Sequence, residues 1–199
     1  VSDTHGRHRE LTPLLPAGDV LLHAGDFCAS GELEEVRDFA RWLRDLPYGR
    51  KVVIAGNHDL PFDGSWAGDF AGFEHAREVV EGARRLLEQA GGVAYLEDTS
   101  MTLRGVKVYG SPWQPRSGDW AFGLSRGFEL AEKWRAIPTD TDVLLVHAPP
   151  LGRGDKCLPA GRREGCADLL SEVQGRVRPG FCVFGHVHES RGASFDGDT

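Results

Sequence analysis

The 199-residue chain has no run of 18 apolar residues, no dense block of Lys or Arg, no C-x-x-C pair and one methionine. The first absence excludes a membrane-spanning helix, and no signal-peptide pattern is visible. The second, with a formal net charge of −7, weighs against membrane association and extended nucleic-acid binding, although a metal-loaded pocket still attracts phosphate locally. The third leaves Cys28, Cys157, Cys166 and Cys182 outside any zinc-knuckle or redox motif, so free thiols and a cytoplasmic location are expected. The chain opens at Val1-Ser2-Asp3 without a methionine and stops after FDGDT, and both ends are expected to be truncated strands.

What is present is the composition of a globular domain, 40% hydrophobic and 27% charged. No repeat, low-complexity tract or linker interrupts it, so residues 1–199 read as a single domain with a substantial core. Apolar runs suited to buried strands recur at DVLLHAG (19–25), KVVIAG (51–56), VKVYGS (106–111), DVLLVHA (142–148) and FCVFGH (181–186). Helical patterns lie at 31–46, where Leu33, Val36, Phe39, Ala40, Leu43 and Leu46 form one stripe, and at 75–92, 125–137 and 166–177. This alternation predicts parallel β-α-β units. In contrast, LEDTSMTLRGVKVYGS has no intervening helix and predicts an antiparallel hairpin turning at Arg104-Gly105. The fold class is therefore α/β, with a pair of mixed sheets covered by helices.

The stretch GNHDLPFDG (56–64) ends a buried strand in Asn57, His58 and Asp59. Alone it reads as a polar turn. The other strands, however, end the same way: Asp3 and His5 after the first stub, Asp26 after DVLLHAG, His147 after DVLLV, His186 and His188 after FCVF. Five of the eight histidines fall in these clusters. In a parallel sheet such ends meet at one edge, where ligands bind. Carboxylate, imidazole and a neutral amide, without thiolate, suit divalent ions such as Mn, Fe or Zn. Asp3 and His5 lie two apart, as do His186 and His188, so each pair can project together from extended chain. Seven such ligands exceed what one ion takes and suit two ions sharing a bridge.

Asp3-x-His5, Gly25-Asp26, Gly56-Asn57-His58-Asp59, His147 and Gly185-His186-Val187-His188 resemble, in order, the five motifs of the calcineurin-like metallophosphoesterases. The segments GSPWQP (110–115), WAF (120–122), the run from Arg126 to Pro138, TDVLLVHAPPLGRGD (141–155) and VFGHVHE (183–189) are similar to the narrower metallophosphoesterase domain-containing branch, also called UPF0046. The resemblance implies a four-layer α/β/β/α sandwich with a dinuclear site at the sheet edge. It implies Asp3, His5, Asp26 and His188 around one metal and Asp26, Asn57, His147 and His186 around the other, with Asp26 as the bridge. Manganese is the first expectation for both ions, with iron, zinc, nickel or cobalt as alternatives. His58 is similar to the family's general acid. The implied activity is hydrolysis of a small phosphoester such as a nucleotide by a metal-bridging hydroxide, with phosphodiesters, cyclic nucleotides included, as the leading class. A phosphomonoesterase and a weakly catalytic scaffold are the alternatives.

One departure stands out. Many members carry GD-x-x-D, whose second Asp braces the catalytic His, but here GDFCA places Ala29 at that position. Three readings stay open: Asp59 substitutes, Asp63 substitutes, or His58 is unbraced. Trp113 and Trp120 either wall the pocket or form a satellite core under a long loop. Lys156, Arg162 and Arg163 either meet a second phosphate or are solvated. His8, His23 and His75 read as structural or solvated.

Overall fold

The computed structural model describes residues 1–66, 73–158 and 161–195. In chain order its elements include α1 (His8–Leu11), β1 (Val20–Ala24), α2 (Leu33–Asp45), β2 (Arg50–Ile54), α3 (Phe73–Glu88), β3 (Val93–Tyr95), β4 (Thr99–Leu103), β5 (Val106–Ser111), β6 (Gln114–Pro115), β7 (Gly123–Leu124), α4 (Phe128–Arg135), β8 (Val143–Val146), β9 (Lys156–Cys157), β10 (Arg162–Arg163), α5 (Ala167–Glu172) and β11 (Phe181–Val183).

The continuous apolar run of β2 marks a strand covered on both faces. Val52 and Ile54 join Ala24, Leu96, Val108 and Leu145 in a core between two sheets. Val53 and Ala55 point the other way, into a cluster with Val36, Phe39 and Leu43 of α2 and Ala83 and Leu87 of α3. In β8, Leu145 takes the inter-sheet side, while Leu144 and Val146 share a cluster with Leu130 and Trp134 of α4 and Leu169 of α5. The layers run helices, sheet, sheet, helices, which is the sandwich expected.

The first sheet has the order β1-β2-β3 and is parallel throughout these strands. Val1 runs beside β1, its carbonyl accepting from the Ala24 N–H at 2.9 Å. The second sheet has the order β11-β8-β5-β4, with only β4 antiparallel to its neighbour. Among the described strands the mixed character expected of both sheets thus belongs to the second alone. The reason is connectivity: β4 and β5 are joined directly, whereas every other neighbouring pair in these two sheets is joined through a helix. The hairpin register Leu103↔Val106 leaves Arg104 and Gly105 as a two-residue turn, with φ of 49° and 86°.

Boundaries shift where backbone geometry intervenes. The helix expected from 125 begins at Phe128, because Gly127 turns at φ 86° ahead of it. The one expected over 166–177 is α-helical to Glu172 and then loosens into a π turn, Val173–Val177, ended by left-handed Arg178 before Pro179. β3 and the ribbons β6–β7 and β9–β10, at two or three residues per strand, fall below the length at which alternation is readable. In the α2 stripe Leu33 is exposed and Trp42 is buried instead.

Phe39 anchors α2 to the first sheet: it is fully buried and stacked on Phe27 with centroids 4.3 Å apart. Phe39→Ala is expected to cost about 3–5 kcal/mol of stability, measured as a lower urea midpoint. A loss below about 1 kcal/mol would show that this ring does not tie the helix layer down.

Candidate metal centre

Asp26, Asn57 and His58 lie just past β1 and β2, His147 directly after β8, and His186 and His188 past β11, with Asp3 and His5 beside the end of β1. Parallel strands bring these ends to one edge of the sandwich. The chain turns there through left-handed backbone at Asp3 (φ 54°), His5 (41°), Asp26 (54°) and His186 (73°), each a conformation that costs a non-glycine residue on the order of 1 kcal/mol. Two glycines make the approach close. A Cβ on Gly56 would sit 2.3 Å from Asp26 Oδ1 and 2.6 Å from His147 Cε1, and one on Gly185 would sit 2.3 Å from Asp3 Oδ2.

The structure brings all seven expected ligands together, in two groups. Asp3, His5 and His188 each place a donor atom within 4.8 Å of the others, and Asp26, His147 and His186 do the same. Asn57 joins the second group, its Oδ1 lying 3.0 Å from His147 Nε2 and 2.9 Å from His186 Nδ1. Asp26 stands between the groups, with Oδ2 3.7 Å from His5 Nε2 and 3.5 Å from His147 Nε2. In the first group His188 Nε2 lies 3.4 Å from Asp3 Oδ1 and 3.2 Å from His5 Nε2. His147 Nδ1 donates to the Ala24 carbonyl at 2.8 Å and His5 Nδ1 to the Cys28 carbonyl at 3.1 Å. Because a carbonyl only accepts, these bonds place the proton on Nδ1 and turn the Nε2 lone pairs into the site. Convergent nitrogen and oxygen donors, oriented from behind and free of thiolate, fit divalent cations.

Burial would raise the carboxyls of Asp26 and Asp3, yet His147 beside the first and His188 beside the second hold both below the ordinary carboxylate range. Burial would lower His147, but Asp26 pushes it up to about 9. Burial and the charge on His147 bring His186 down to about 4. The site therefore holds two ionised carboxylates that call for positive charge, from imidazolium protons or from metal ions that displace them.

His58 is braced, but by neither Asp59 nor Asp63, so none of the three readings left open by the sequence holds. Its Nδ1 donates to the backbone carbonyl of Ala29 at 2.8 Å, so the residue in place of the usual Asp supplies its main chain. Asp59 is fully buried and accepts from the N–H of Asp26 (2.8 Å), Cys28 (2.9 Å) and Gly56 (2.8 Å). Burial and the neighbouring Asp26 charge push its carboxyl up to about 8 against those donors. Asp63 instead holds the loop carrying Trp120, accepting from the Phe122 N–H at 2.7 Å. The Ala29 peptide is in turn held by Glu35, which accepts from the N–H of Ala29 (2.9 Å), Ser30 (3.1 Å) and Glu32 (2.9 Å). Burial would raise the Glu35 carboxyl, but these donors leave it lowered. Sequence reasoning missed Glu35; the spacing of Glu32 and Glu35 reads as a helix-capping pair, a signal for a helix start and not for a site.

The two tryptophans divide. Trp120 stacks on His58 with centroids 4.1 Å apart and stays partly exposed at the site. Trp113 packs against both helix-side cores, donates from Nε1 to Asp98 at 2.8 Å and lies under Lys133, so it takes the core alternative. His8 is buried against Asp38 and His23 is fully buried beside Phe39, both structural, and the side chain of His75 lies outside the described residues. Arg162 pairs with Glu164 and Arg163 with buried Asp155.

Gly56→Ala is expected to abolish saturable Mn(II) binding in calorimetric titration, because the added methyl overlaps both Asp26 and His147. Gly82→Ala, where an added Cβ meets nothing within 4 Å, should leave binding intact. Equal binding by the two variants would place the ion elsewhere.

Comparison with known proteins agrees with this geometry. The profile of the calcineurin-like phosphoesterases matches residues 1–190. The chain is 45% identical over 208 residues to metallophosphoesterase domain-containing protein 1 of Homo sapiens, covering 100% of this chain and 62% of that protein. It is 44% identical to a UPF0046 protein of Caenorhabditis elegans, covering 98% of this chain and 52% of that one. The chain thus spans between half and two thirds of the length of these curated relatives. A crystal structure at 17% identity shares the fold, with a TM-score of 0.70 over 100% of this chain and 86% of that one. The motif order, the paired donor groups at the sheet edge and the family match together establish that the chain belongs to the calcineurin-like phosphoesterase family.

Proposed function

We propose that the chain is a metal-dependent phosphoester hydrolase, and within that class a phosphodiesterase for small nucleotide diesters, cyclic ones included. The observation that carries the reading is the pair of donor groups joined at Asp26 with His58 beside them, its ring centroid 4.6 Å from that of His5. Asp3, His5, Asp26 and His188 would hold one divalent cation, and Asp26, Asn57, His147 and His186 the other. When bound, two such cations activate water at neutral pH and neutralise charge building on phosphoryl oxygens. The chain's own residues do the rest. Asn57 contributes an oxygen without adding negative charge. His58, with Nδ1–H committed to the Ala29 carbonyl, presents Nε2; in the imidazolium form that nitrogen carries the proton given to the departing oxygen, which leaves the ring neutral with Nδ1–H still bonded to Ala29.

The diester preference rests on the space beside His186 and His188. A cavity of about 240 Å³ there is walled by Ser117, Cys157, Glu164 and Glu189. Arg162, one of the two candidates for a second phosphate contact that carry an ion pair, is occupied by Glu164. With Glu164 paired to Arg162, the Glu189 carboxylate in that wall favours a singly charged diester over a dianionic monoester. The four unpaired cysteines suit a reducing compartment, which supports a cytoplasmic placement.

Metal analysis at saturation is expected to find about two divalent ions per chain, with manganese supporting activity and a chelator abolishing it reversibly. Full activity with a single ion would overturn the dinuclear reading. His58→Ala should keep both ions and lose ~100 to 10,000-fold in kcat on a nucleoside diester, whose alkoxide needs a proton. On a nitrophenyl ester the loss should be much smaller. Equal losses would remove His58 as the acid, and faster turnover of matched monoesters than diesters would favour a phosphomonoesterase.

A further inference from the structure

The loop that follows β1, residues 26–30, serves two masters. Its first half carries Asp26, shared by both donor groups; its second half carries the Ala29 carbonyl that receives His58 Nδ1–H at 2.8 Å. Two different carboxylates hold the halves. Asp59 takes the N–H groups of Asp26 and Cys28 at 2.8 and 2.9 Å. Glu35 takes those of Ala29 and Ser30 at 2.9 and 3.1 Å, and adds the Ser30 hydroxyl at 3.0 Å. The Glu35 carboxylate is anchored at the start of α2, whose other face is the Phe39 core, so its position is set by a rigid element and not by the loop.

We propose that Glu35 is a positioning residue for His58: by fixing the Ala29 peptide it aims the carbonyl that holds Nδ1–H and so keeps Nε2 turned to the leaving group. This deepens the reading of His58 as the acid and rests on it. A peptide carbonyl is a weaker anchor than the carboxylate found at this point in many relatives. It is also free to rotate with its peptide plane unless the adjoining N–H is tied down. The tie is the Ser30 N–H bond to Glu35 at 3.1 Å, because the Ala29 carbonyl and the Ser30 N–H belong to one planar peptide unit; the Ala29 N–H bond at 2.9 Å holds the plane before it. Free imidazole has no comparable restraint, and without the Ala29 acceptor the ring can flip or exchange tautomers.

The test compares Glu35→Gln and Glu35→Ala with Asp59→Asn in the metal-loaded enzyme. The Glu35 variants should keep both ions and lose less Mn(II) affinity than Asp59→Asn, because the Asp26 half of the loop is held by Asp59 and the Ala29 N–H bond touches only the peptide whose Cys28 carbonyl backs His5. They should lose about 10- to 100-fold in kcat on a nucleoside diester, less than full removal of the acid, and substantially less on a nitrophenyl ester, with KM little changed. Glu35→Gln, which keeps one acceptor oxygen, should fall between Glu35→Ala and wild type. Asp59→Asn should do the opposite and weaken metal binding. A readout independent of turnover is the long-range proton–nitrogen NMR correlation of the His58 ring in the Zn(II)-loaded protein. Wild type should show Nδ1 protonated, and the Glu35 variants should show mixed tautomers. Loss of metal in the Glu35 variants, equal losses on the two esters, or an unchanged His58 ring signature would overturn the proposal. His58→Ala run alongside separates the failures. If it shows no leaving-group dependence, the acid reading falls and the catalytic part of this proposal with it, while the ring signature still decides whether Glu35 holds His58.

Discussion

The structure is organised around one buried charge. Asp26 is 1% exposed, lies within reach of His5 and His147, and has the fully buried Asp59 behind it. A carboxylate in that position is costly unless compensated on every side. The compensation comes from both sheets: His147 follows β8 of the second, and the N–H of His58 past β2 of the first donates to Asp26 Oδ1 at 2.8 Å. The two sheets therefore have to meet at this edge with their strand ends in register, and the inter-sheet core of Ala24, Ile54 and Leu145 lies directly behind the residues that do so.

That requirement explains where strain and emptiness occur. Among the described residues, four of the eight non-glycine positions in left-handed backbone are site residues, and Gly56 and Gly185 leave room where a methyl would collide with Asp26 and Asp3. The remainder of the sandwich is ordinary packing, with the Phe27–Phe39 stack under α2 and the Trp134 cluster under α4 and α5. Local conformational cost is concentrated at the functional edge and offset by two extensive helix-on-sheet cores.

Support for this edge comes from backbone as much as from side chains. His5, His58 and His147 each give Nδ1–H to a peptide carbonyl, of Cys28, Ala29 and Ala24 respectively. All three acceptors lie in or just before the loop that follows β1. The same short segment thereby orients three rings, which makes the carboxylates that hold it, Asp59 and Glu35, part of the site although neither faces the substrate.

Much of this was legible in the sequence for a simple reason: strand and helix periodicity, the NHD and HVH clusters and the Arg104-Gly105 hairpin are properties of neighbouring residues. Apolar runs followed by Asp, Asn or His determined the α/β class, the ordered set of candidate ligands and its place at strand ends. Only the tertiary structure decided that the first sheet is parallel throughout its described strands, that Trp113 is core while Trp120 meets His58, and that the Ala29 carbonyl braces His58 where the sequence left Asp59, Asp63 or no brace open. The physical reason is that a peptide carbonyl has the same chemistry at every residue: sequence can reveal a missing carboxylate, but which main-chain oxygen takes its place depends on the path of the folded loop.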